Sequence, residues 1–259
     1  MGQPASAGKA LRMRVVGVIP ARWASTRFPG KSLAPLCGKP LIQWVLERCR
    51  QARRLNALLV ATDDERIRRA VAACGGRAVM TRADHFSGTD RVAEAVQAEP
   101  ADIVINIQGD EPAVDPAGID RLAAVMVAEP EWDMATAASP LAADQAAKPS
   151  VTKVVADGAG RALYFSRAAI PFVREPDFQP AATLYWRHIG IYAYRAAFLA
   201  RLVAEPPCHL ERAECLEQLR ALHLGARIKV AAWAEPGVGV DIPSDIPLAE
   251  DALRRLGLA

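Results

Sequence analysis

The sequence predicts an α/β fold with a doubly wound, mostly parallel sheet, and three observations support this prediction. Short β-branched strands alternate with amphipathic helices along the first 140 residues. The 259 residues, 51% of them hydrophobic, suffice for a sizeable core. Polar loops follow directly after several strands, as in open sheets that bind ligands at the carboxyl ends of their strands. Strands and helices in alternation form right-handed parallel units, which define this fold class.

The first half of the chain consists of repeated strand, loop and helix units. A β-branched run at 14–19 ends at Pro20, a polar loop occupies 21–31, and Gly38 introduces the first helix at 41–49. The same pattern predicts further strands at 57–61, 77–80, 103–107 and 134–138, and helices at 67–73, 89–98 and 116–128.

The regular alternation of strands and helices ends at the Ala-rich stretch 142–150, which marks a boundary between two parts of the chain. Strands at 151–156, 163–165 and 189–194 are separated by long loops, which predicts a smaller mixed or antiparallel sheet inserted into the main one. The remaining predicted elements are helices at 195–204 and 210–222, a strand at 228–232 and a closing helix at 244–256 capped by Ser244. We therefore divide the chain into a disordered lead-in over 1–12, an α/β domain over 13–150 and 220–259, and a subdomain over 151–219.

Composition excludes several classes of protein. The net charge is only +3, so a protein that coats nucleic acid is not expected. The five cysteines are odd in number and contain no CxxC pair, which indicates neither a disulfide framework nor a zinc site and favours a reducing, cytoplasmic compartment. The chain contains no apolar run of the roughly 18 residues that a membrane helix needs, so no membrane insertion is expected.

The loop after the first strand is rich in groups that bind phosphate. It carries permanent cations and hydroxyls in a segment of small residues, namely Arg22, Ser25, Thr26, Arg27 and Lys31. Guanidinium, ammonium and backbone N–H groups together can hold a triphosphate. The Walker A spacing is absent, although Gly30-Lys31-Ser32 ends similarly. The alternative is a basic loop that faces solvent.

Two further loops place carboxylates at the expected ligand edge. Asp110 follows the buried strand at 103–107, and Asp241, in the segment 239–243, is predicted to follow a further strand that ends near residue 240. Paired carboxylates can hold Mg²⁺ against phosphate oxygens, and Gln108 can bind a polar substrate. Asp after Gly also forms turns, which is the alternative for Asp110. We call the loop over 21–31 the cationic loop. Together with this loop, the two carboxylates indicate nucleotidyl transfer rather than hydride transfer.

The motifs in these loops also resemble those of one known family, the 3-deoxy-D-manno-octulosonate (Kdo) cytidylyltransferases. The matching segments occur in order from Val15 to Leu256, at 19–31, 61–63, 80–85, 87–89, 106–112, 153–155, 162–167, 187–192, 216–220 and 239–241. Two departures stand out: Trp23 lies where the family usually has Tyr, and Arg212-Ala213 replaces a common His-Ile.

The resemblance implies a glycosyltransferase-A-like fold. It also implies an enzyme that activates an acidic sugar for lipopolysaccharide biosynthesis. CTP and Kdo would give CMP-Kdo and pyrophosphate with Mg²⁺, by in-line attack of the anomeric hydroxyl on the α-phosphorus. It further implies a homodimer in which the subdomain over 151–219 binds the sugar and its segment 162–194 forms the interface.

Site residues follow from the same resemblance. The residues implied in catalysis are Arg22, Lys31, Asp110 and Asp241, of which Asp110 and Asp241 would bind the metal. The residues implied in CTP binding are Arg22, Ser25, Thr26, Arg27, Lys31, Arg82, Ser87, Gly88 and Arg91. The residues implied in sugar binding are Gln108, Arg167, Arg174, His188, Tyr192, Glu217 and Gln218.

Some of these assignments have structural alternatives, and so does the function. Glu217 and Gln218 fit a solvated helix face, and His188 fits a structural histidine. A related enzyme would use the same nucleotide chemistry on N-acylneuraminate or on an 8-amino Kdo analogue. A protein of another class would sense nucleotides without catalysis, although it would have little use for Arg22, Lys31, Asp110 and Asp241 together.

Overall fold

The computed structural model describes residues 13–175, 178, 183–233 and 237–259. The lead-in predicted over 1–12 lies outside these residues. In the described part, nine strands form one mixed sheet, and β2 with β3 forms a separate small hairpin. The strands are β1 (Val15–Ala21), β2 (Pro35–Leu36), β3 (Lys39–Pro40), β4 (Ala57–Thr62), β5 (Ala78–Met80), β6 (Ile103–Asn106), β7 (Met134–Leu141), β8 (Lys153–Ala156), β9 (Ala162–Ser166), β10 (Tyr185–Arg195) and β11 (Ile228–Ala232).

Helices cover both faces of the large sheet. They are α1 (Leu41–Cys49), α2 (Glu65–Ala73), α3 (Gly88–Ala95), α4 (Pro116–Ala128), α5 (Ala143–Ala146), α6 (Ala196–Ala204), α7 (His209–Glu214), α8 (Gln218–His223) and α9 (Ile246–Arg255). Single 3₁₀ turns occupy Lys31–Leu33 and Pro243–Asp245. The α/β class predicted from the alternation of strands and helices is confirmed.

The strand order places the first and sixth strands side by side. The order across the sheet is β11, β7, β10, β6, β1, β4 and β5, with β8 and β9 added beside β10. The pairs β1 with β4, β1 with β6, β4 with β5 and β7 with β11 are parallel, whereas β10 is antiparallel to β6, β7 and β8. The carboxyl ends of β1, β4 and β6 therefore meet at one edge.

Alternating side chains of the central strands build a core on each face. Val15 and Ile19 of β1 contact the cluster under α1 and α4, whereas Val16 and Val18 contact the cluster under α3 and α6. All four are buried, as expected of a parallel strand that is covered on both faces. The edge of the sheet is thereby held rigidly, and the loops that leave it start from fixed positions.

Two predicted helices differ from the structure. The single helix predicted at 210–222 is two short helices, because Cys215 adopts a left-handed conformation (φ 51°) that ends α7. The closing helix begins at Ile246 rather than at a Ser244 cap, since a 3₁₀ turn precedes it. The Asp245 carboxylate accepts hydrogen bonds from the backbone N–H groups of Asp241 and Ile242 at 2.8 and 2.9 Å.

The β8–β9 hairpin continues the main sheet through the pairing of Lys153 with Arg187 on β10. Lys153 is fully buried, and its ammonium donates to the carbonyls of Lys148, Val151 and Arg167 at 3.1, 2.6 and 2.5 Å.

The predicted domain division near residues 150 and 220 stays a prediction. No helix within the described ranges has the length and apolar character needed to cross a membrane.

Candidate active site

The backbone brings the loops after β1 and β6 into direct contact. A Cβ atom on Gly109 would lie only 2.5 Å from the carbonyl oxygen of Pro20, so only glycine permits this approach. The segment before α9 joins the same place, because the N–H of Val240 donates to the carbonyl of Asp110 at 2.9 Å. Three loops that are distant in sequence therefore meet at one point.

Lys31, Asp110 and Asp241 meet at this point. Lys31 Nζ lies 2.6 Å from Asp110 Oδ2 and 3.3 Å from Asp241 Oδ1, and it donates to the Val240 carbonyl at 3.2 Å. Arg27 also pairs with Asp241, at 3.2 Å. Two carboxylates thus share one ammonium.

A cavity of about 310 Å³ opens beside these three residues. It is lined by the cationic loop, the start of α3 and the segment after β6. The lining residues are Pro20, Ala21, Arg22, Ser25, Thr26, Arg27, Lys31, Ser32, His85, Phe86, Ser87, Gly88, Arg91, Gln108, Gly109, Asp110 and Asp241. Every residue that the sequence predicted to bind CTP lines this cavity, except Arg82.

The chemistry of the two carboxylates suits Mg²⁺. Asp110 and Asp241 both approach a single cationic atom, Lys31 Nζ, so their oxygens can reach a common ion. Mg²⁺ usually takes one or two protein carboxylates and completes its coordination with water and phosphate oxygens. Among the described residues no group of three or more potential ligands forms a closed metal cage. The pair therefore fits a metal that arrives with a phosphate ligand.

A third carboxylate next to the pair is partly neutralised. Burial and the neighbouring Asp110 carboxylate raise the pKa of Glu111 to about 7, and Arg187 opposes this shift. Near neutral pH a substantial share of Glu111 is therefore protonated, which limits the repulsion among adjacent carboxylates.

The residues predicted to bind the base differ in burial and in the partners they contact. Arg91 is buried, and its guanidinium donates to Thr81 Oγ1 at 2.6 Å and to Asp63 Oδ2 at 2.9 Å. Ser87 caps α3, and its Oγ lies 3.3 Å from Glu217 Oε1. Arg82 does not line the cavity and pairs with Glu94 of α3, at 3.7 Å. Its contact with a base stays a prediction.

Gln108 is the predicted sugar-binding residue that lines the cavity, and its amide donates to the carbonyl of Gly190 on β10 at 2.6 Å. Tyr192, Glu217 and Gln218 are not among the lining residues, although Glu217 approaches Ser87, which is one of them. Tyr192 Oη donates to Gln218 Oε1 at 3.3 Å. Burial raises the pKa of Glu217, so this carboxyl is a better proton holder than an exposed glutamate. Gln218 Nε2 is buried without a hydrogen-bond partner among the described residues.

The other three predicted sugar-binding residues do not line the cavity either. The Arg167 guanidinium donates to the carbonyls of Pro149, Glu214 and Cys215 and so holds the end of α7. Arg174 is exposed and lies 3.7 Å from Glu175. His188 is buried beside Thr136, whose Oγ1 lies 2.9 Å from its Nε2. The roles of these residues in sugar binding stay predictions.

Because of the buried His188, we expect the folded protein to lose stability in acid. Burial lowers its pKa from 6.5 to about 3, and its neighbours are Thr136, Phe165 and Tyr192, none of which carries a charge. The unfolded chain takes up a proton below pH 6.5 and the folded chain does not. Stability from this group is therefore complete above pH 6.5 and declines toward pH 3. At pH 5 the loss is about 2 kcal/mol.

The measurement is the free energy of unfolding by urea at pH 7.5 and pH 5.0. We expect the His188→Gln variant to lose about 2 kcal/mol less than the parent between these values. His223→Gln, which changes an exposed histidine, is the control and should follow the parent. Equal losses in the parent and in His188→Gln would refute the assignment.

Several residues that support the site were missed from sequence. Asp63 joins Arg91 to the cationic loop, because its Oδ1 accepts from the N–H of Trp23 at 3.4 Å. Asp245 holds the backbone at Asp241, as described above. His85 lines the cavity and contacts Glu94. Asp63 and His85 lie in the segments 61–63 and 80–85 that match the family, and those matches were the signal for them.

A cationic loop after the first strand, a cavity at the carboxyl edge of the sheet and two carboxylates at its end define a nucleotidyltransferase. Residues 16–228 match the model of a family described as cytidylyltransferase. The chain belongs to this family, and within it to the 3-deoxy-manno-octulosonate cytidylyltransferases, so the resemblance seen in the motifs is confirmed.

Relatives of that description match along nearly their whole length. The chain is 47% identical to the 3-deoxy-manno-octulosonate cytidylyltransferase of Bdellovibrio bacteriovorus, over 95% of this chain and 100% of the relative. It is 50% identical to that of Syntrophobacter fumaroxidans, over 93% and 99%. A solved structure of a CMP:2-keto-3-deoxy-manno-octonic acid synthetase complexed with CTP superposes with a TM-score of 0.90, at 42% identity over 94% of this chain and 99% of that one.

Proposed function

We propose that this chain transfers the cytidylyl group of CTP to the anomeric hydroxyl of Kdo, which gives CMP-Kdo and pyrophosphate. The observation that carries the proposal is the meeting of Lys31, Asp110 and Asp241 at the end of a cavity lined by the cationic loop. The relatives named for this reaction, and the solved relative that holds CTP, support the same substrates.

The cationic loop would hold the triphosphate. Arg22, Arg27 and Lys31 supply positive charge along one wall of the cavity, and Ser25 and Thr26 supply hydroxyl donors. Lys31 contacts both carboxylates in the structure, so it must give up at least one of these contacts when Mg²⁺ binds there. Phosphate oxygens are its natural new partners, because they replace one anionic contact by another.

Asp110 and Asp241 would bind Mg²⁺ at the end of the cavity. Bound there, the ion would stabilise negative charge on the phosphate and ease deprotonation of the hydroxyl. The residues of the chain would hold two anionic reactants in line, and no covalent enzyme intermediate is needed. Pyrophosphate would leave toward Arg22 and Arg27, whose charges stabilise it.

The base would lie against the start of α3. Ser87 and Gly88 line the cavity beside the segment 20–22, and Pro20 Cγ lies 3.6 Å from the position a Cβ of Gly88 would take. The relatives named as cytidylyltransferases support a pyrimidine rather than a purine at this place. Arg91 would act here through its buried contacts with Thr81 and Asp63, which fix the start of the helix.

The sugar would lie on the side of Gln108 and Glu217. Glu217 and Ser87 also line a neighbouring groove of about 860 Å³ that adjoins the nucleotide cavity. An acidic sugar with several hydroxyls needs amide and carboxyl partners for its hydroxyls and a cation for its carboxylate. Gln108, Tyr192, Glu217 and Gln218 meet the first need. The predicted cations Arg167 and Arg174 would have to turn toward the sugar to meet the second.

The test is release of pyrophosphate by the full chain with Mg²⁺. CTP is combined with Kdo, with 8-amino-Kdo, with N-acetylneuraminate or with no sugar, and ATP, GTP and UTP are each combined with Kdo. We expect release that requires both CTP and Kdo. Preference for 8-amino-Kdo or for N-acetylneuraminate would replace the sugar in the proposal, and no release with any acidic sugar would refute it.

We further propose a cytoplasmic homodimer whose interface lies within residues 162–194. Leu163 and Phe172 support the proposal, since their apolar side chains are 52% and 85% exposed. All five cysteines are free, which suits a reducing compartment. Light scattering at micromolar concentration should give about twice the chain mass of 27.8 kDa. A mass near that of one chain would reject the dimer.

A further inference from the structure

The cationic loop is closed on itself at Trp23. The carbonyl of Trp23 accepts hydrogen bonds from the N–H groups of Ser25 and Gly30, both at 2.9 Å. Arg22 directly precedes this closure and Lys31 directly follows it. The distance between the two cations therefore depends on the position of Trp23.

The indole of Trp23 packs against the other end of the loop. Gly30 has a positive φ of 71°, and a Cβ atom there would lie 2.8 Å from Cη2 of the indole. Trp23 also packs, partly buried, against the core cluster beneath the loop. Glycine at position 30 thus lets the indole edge lie directly on the backbone, so the ring and the loop move as one unit.

The indole is in turn covered by a residue from outside the site. Arg66, on α2, places its guanidinium carbon 3.3 Å from the centroid of the Trp23 ring. That guanidinium is held by Asp64, the N-cap of α2, through two hydrogen bonds of 2.9 and 2.7 Å. Arg66 does not line the nucleotide cavity. The guanidinium of Arg66 is therefore fixed by Asp64 and is attracted to the π face of the indole.

We infer that Arg66 is a positioning residue for CTP: by stacking on Trp23, it keeps the cationic loop closed in the conformation that receives the triphosphate. The inference rests on the proposed function, because it assigns the loop to CTP. Its effect is on binding rather than on the chemical step, since a loop that is already ordered loses less entropy when the ligand binds.

The test compares three arginines of the same helix. Arg66→Met is compared with Arg68→Met and Arg69→Met, which remove the same charge from side chains that pair with Glu65. CTP binding with Mg²⁺ is measured by calorimetry, and kcat and KM are measured with Kdo. We expect Arg66→Met to raise Kd and KM for CTP about 3- to 10-fold, with kcat within about twofold and the two controls near the parent.

A double-mutant cycle separates the stack from general destabilisation. Trp23→Leu removes the π face, so we expect the Arg66→Met/Trp23→Leu double variant to bind CTP no worse than Trp23→Leu alone. Hydrogen exchange without nucleotide gives an independent measure of loop closure. The amides of Ser25 and Gly30 should exchange several times faster in Arg66→Met than in Arg68→Met, because they donate to Trp23.

The outcomes separate this inference from the proposed function. Parent protein that fails to bind CTP would refute the proposed function, and the inference about CTP would fall with it, whereas the exchange data would still report on loop closure. Parent protein that binds CTP, with Arg66→Met matching the Arg68→Met and Arg69→Met controls or with additive effects in the cycle, would overturn the inference alone.

Discussion

Asp110→Asn is expected to lower turnover on the order of 100-fold or more, because it removes charge from the pair that would hold Mg²⁺. The side chain keeps its shape, the backbone carbonyl still accepts from Val240, and Lys31 keeps its contacts with Asp241 and the Val240 carbonyl. The melting temperature should therefore stay within about 2 °C of the parent. Higher Mg²⁺ should restore part of the activity if the remaining carboxylate of Asp241 still binds the ion.

The comparison variant for this experiment is Asp251→Asn. Asp251 lies on α9, is exposed and pairs with Arg254, so it shares the charge change without touching the cavity. Turnover and melting temperature are measured for both variants across a Mg²⁺ titration. Normal turnover of Asp110→Asn at every Mg²⁺ concentration, with a normal melting temperature, would remove Asp110 from the mechanism.

Gly109→Ala is expected to reduce turnover by about 100-fold through geometry alone. The added Cβ would lie 2.5 Å from the Pro20 carbonyl oxygen, which belongs to the backbone and cannot rotate away. The loop that carries Asp110 must then shift away from the end of β1. Overpacking of this size costs about 1–3 kcal/mol, so the melting temperature should also fall by several degrees.

Gly158→Ala is the matched control, because a Cβ there meets no atom within 4 Å and its φ is not in the left-handed region. It should leave both turnover and melting temperature unchanged. If Gly109→Ala had parental activity, the close contact between the loops after β1 and β6 would have no role in placing Asp110.

Local patterns predicted the central part of the fold well. The β-branched runs at β1 and β6 and the Asp and Gly residues around α2 are signals contained in a few neighbouring residues. The split between α7 and α8 was missed because it depends on the left-handed backbone of Cys215, which residue type alone does not require. The length of β10 was underestimated, since Tyr185, Trp186 and Arg187 pair with β7 across the sheet.

The candidate site was predictable where its residues follow strands. Lys31 and Asp110 follow β1 and β6, and the rule that ligands bind at the carboxyl edge of the sheet brings them together. Asp241 was expected at the end of a strand near residue 240, which is wrong, because residues 237–241 form no strand and the bond from Val240 to Asp110 holds this segment at the site. The supporting contacts were not predictable, because Arg66 on Trp23 and Asp63 on Arg91 join residues 43 and 28 positions apart without any periodic pattern. Such pairs are fixed by the three-dimensional packing alone.

The most direct measurement is the fate of oxygen-18 placed in the anomeric hydroxyl of Kdo. The label is introduced by equilibration in oxygen-18 water, and the reaction with CTP and Mg²⁺ is run in the same water so that exchange does not erase it. We expect the label to be retained in CMP-Kdo, in the oxygen that bridges sugar and phosphorus, with an isotope shift of the product phosphorus resonance. A CMP-Kdo product without the label would show that the sugar C–O bond had broken, which contradicts attack by the sugar oxygen on the α-phosphorus.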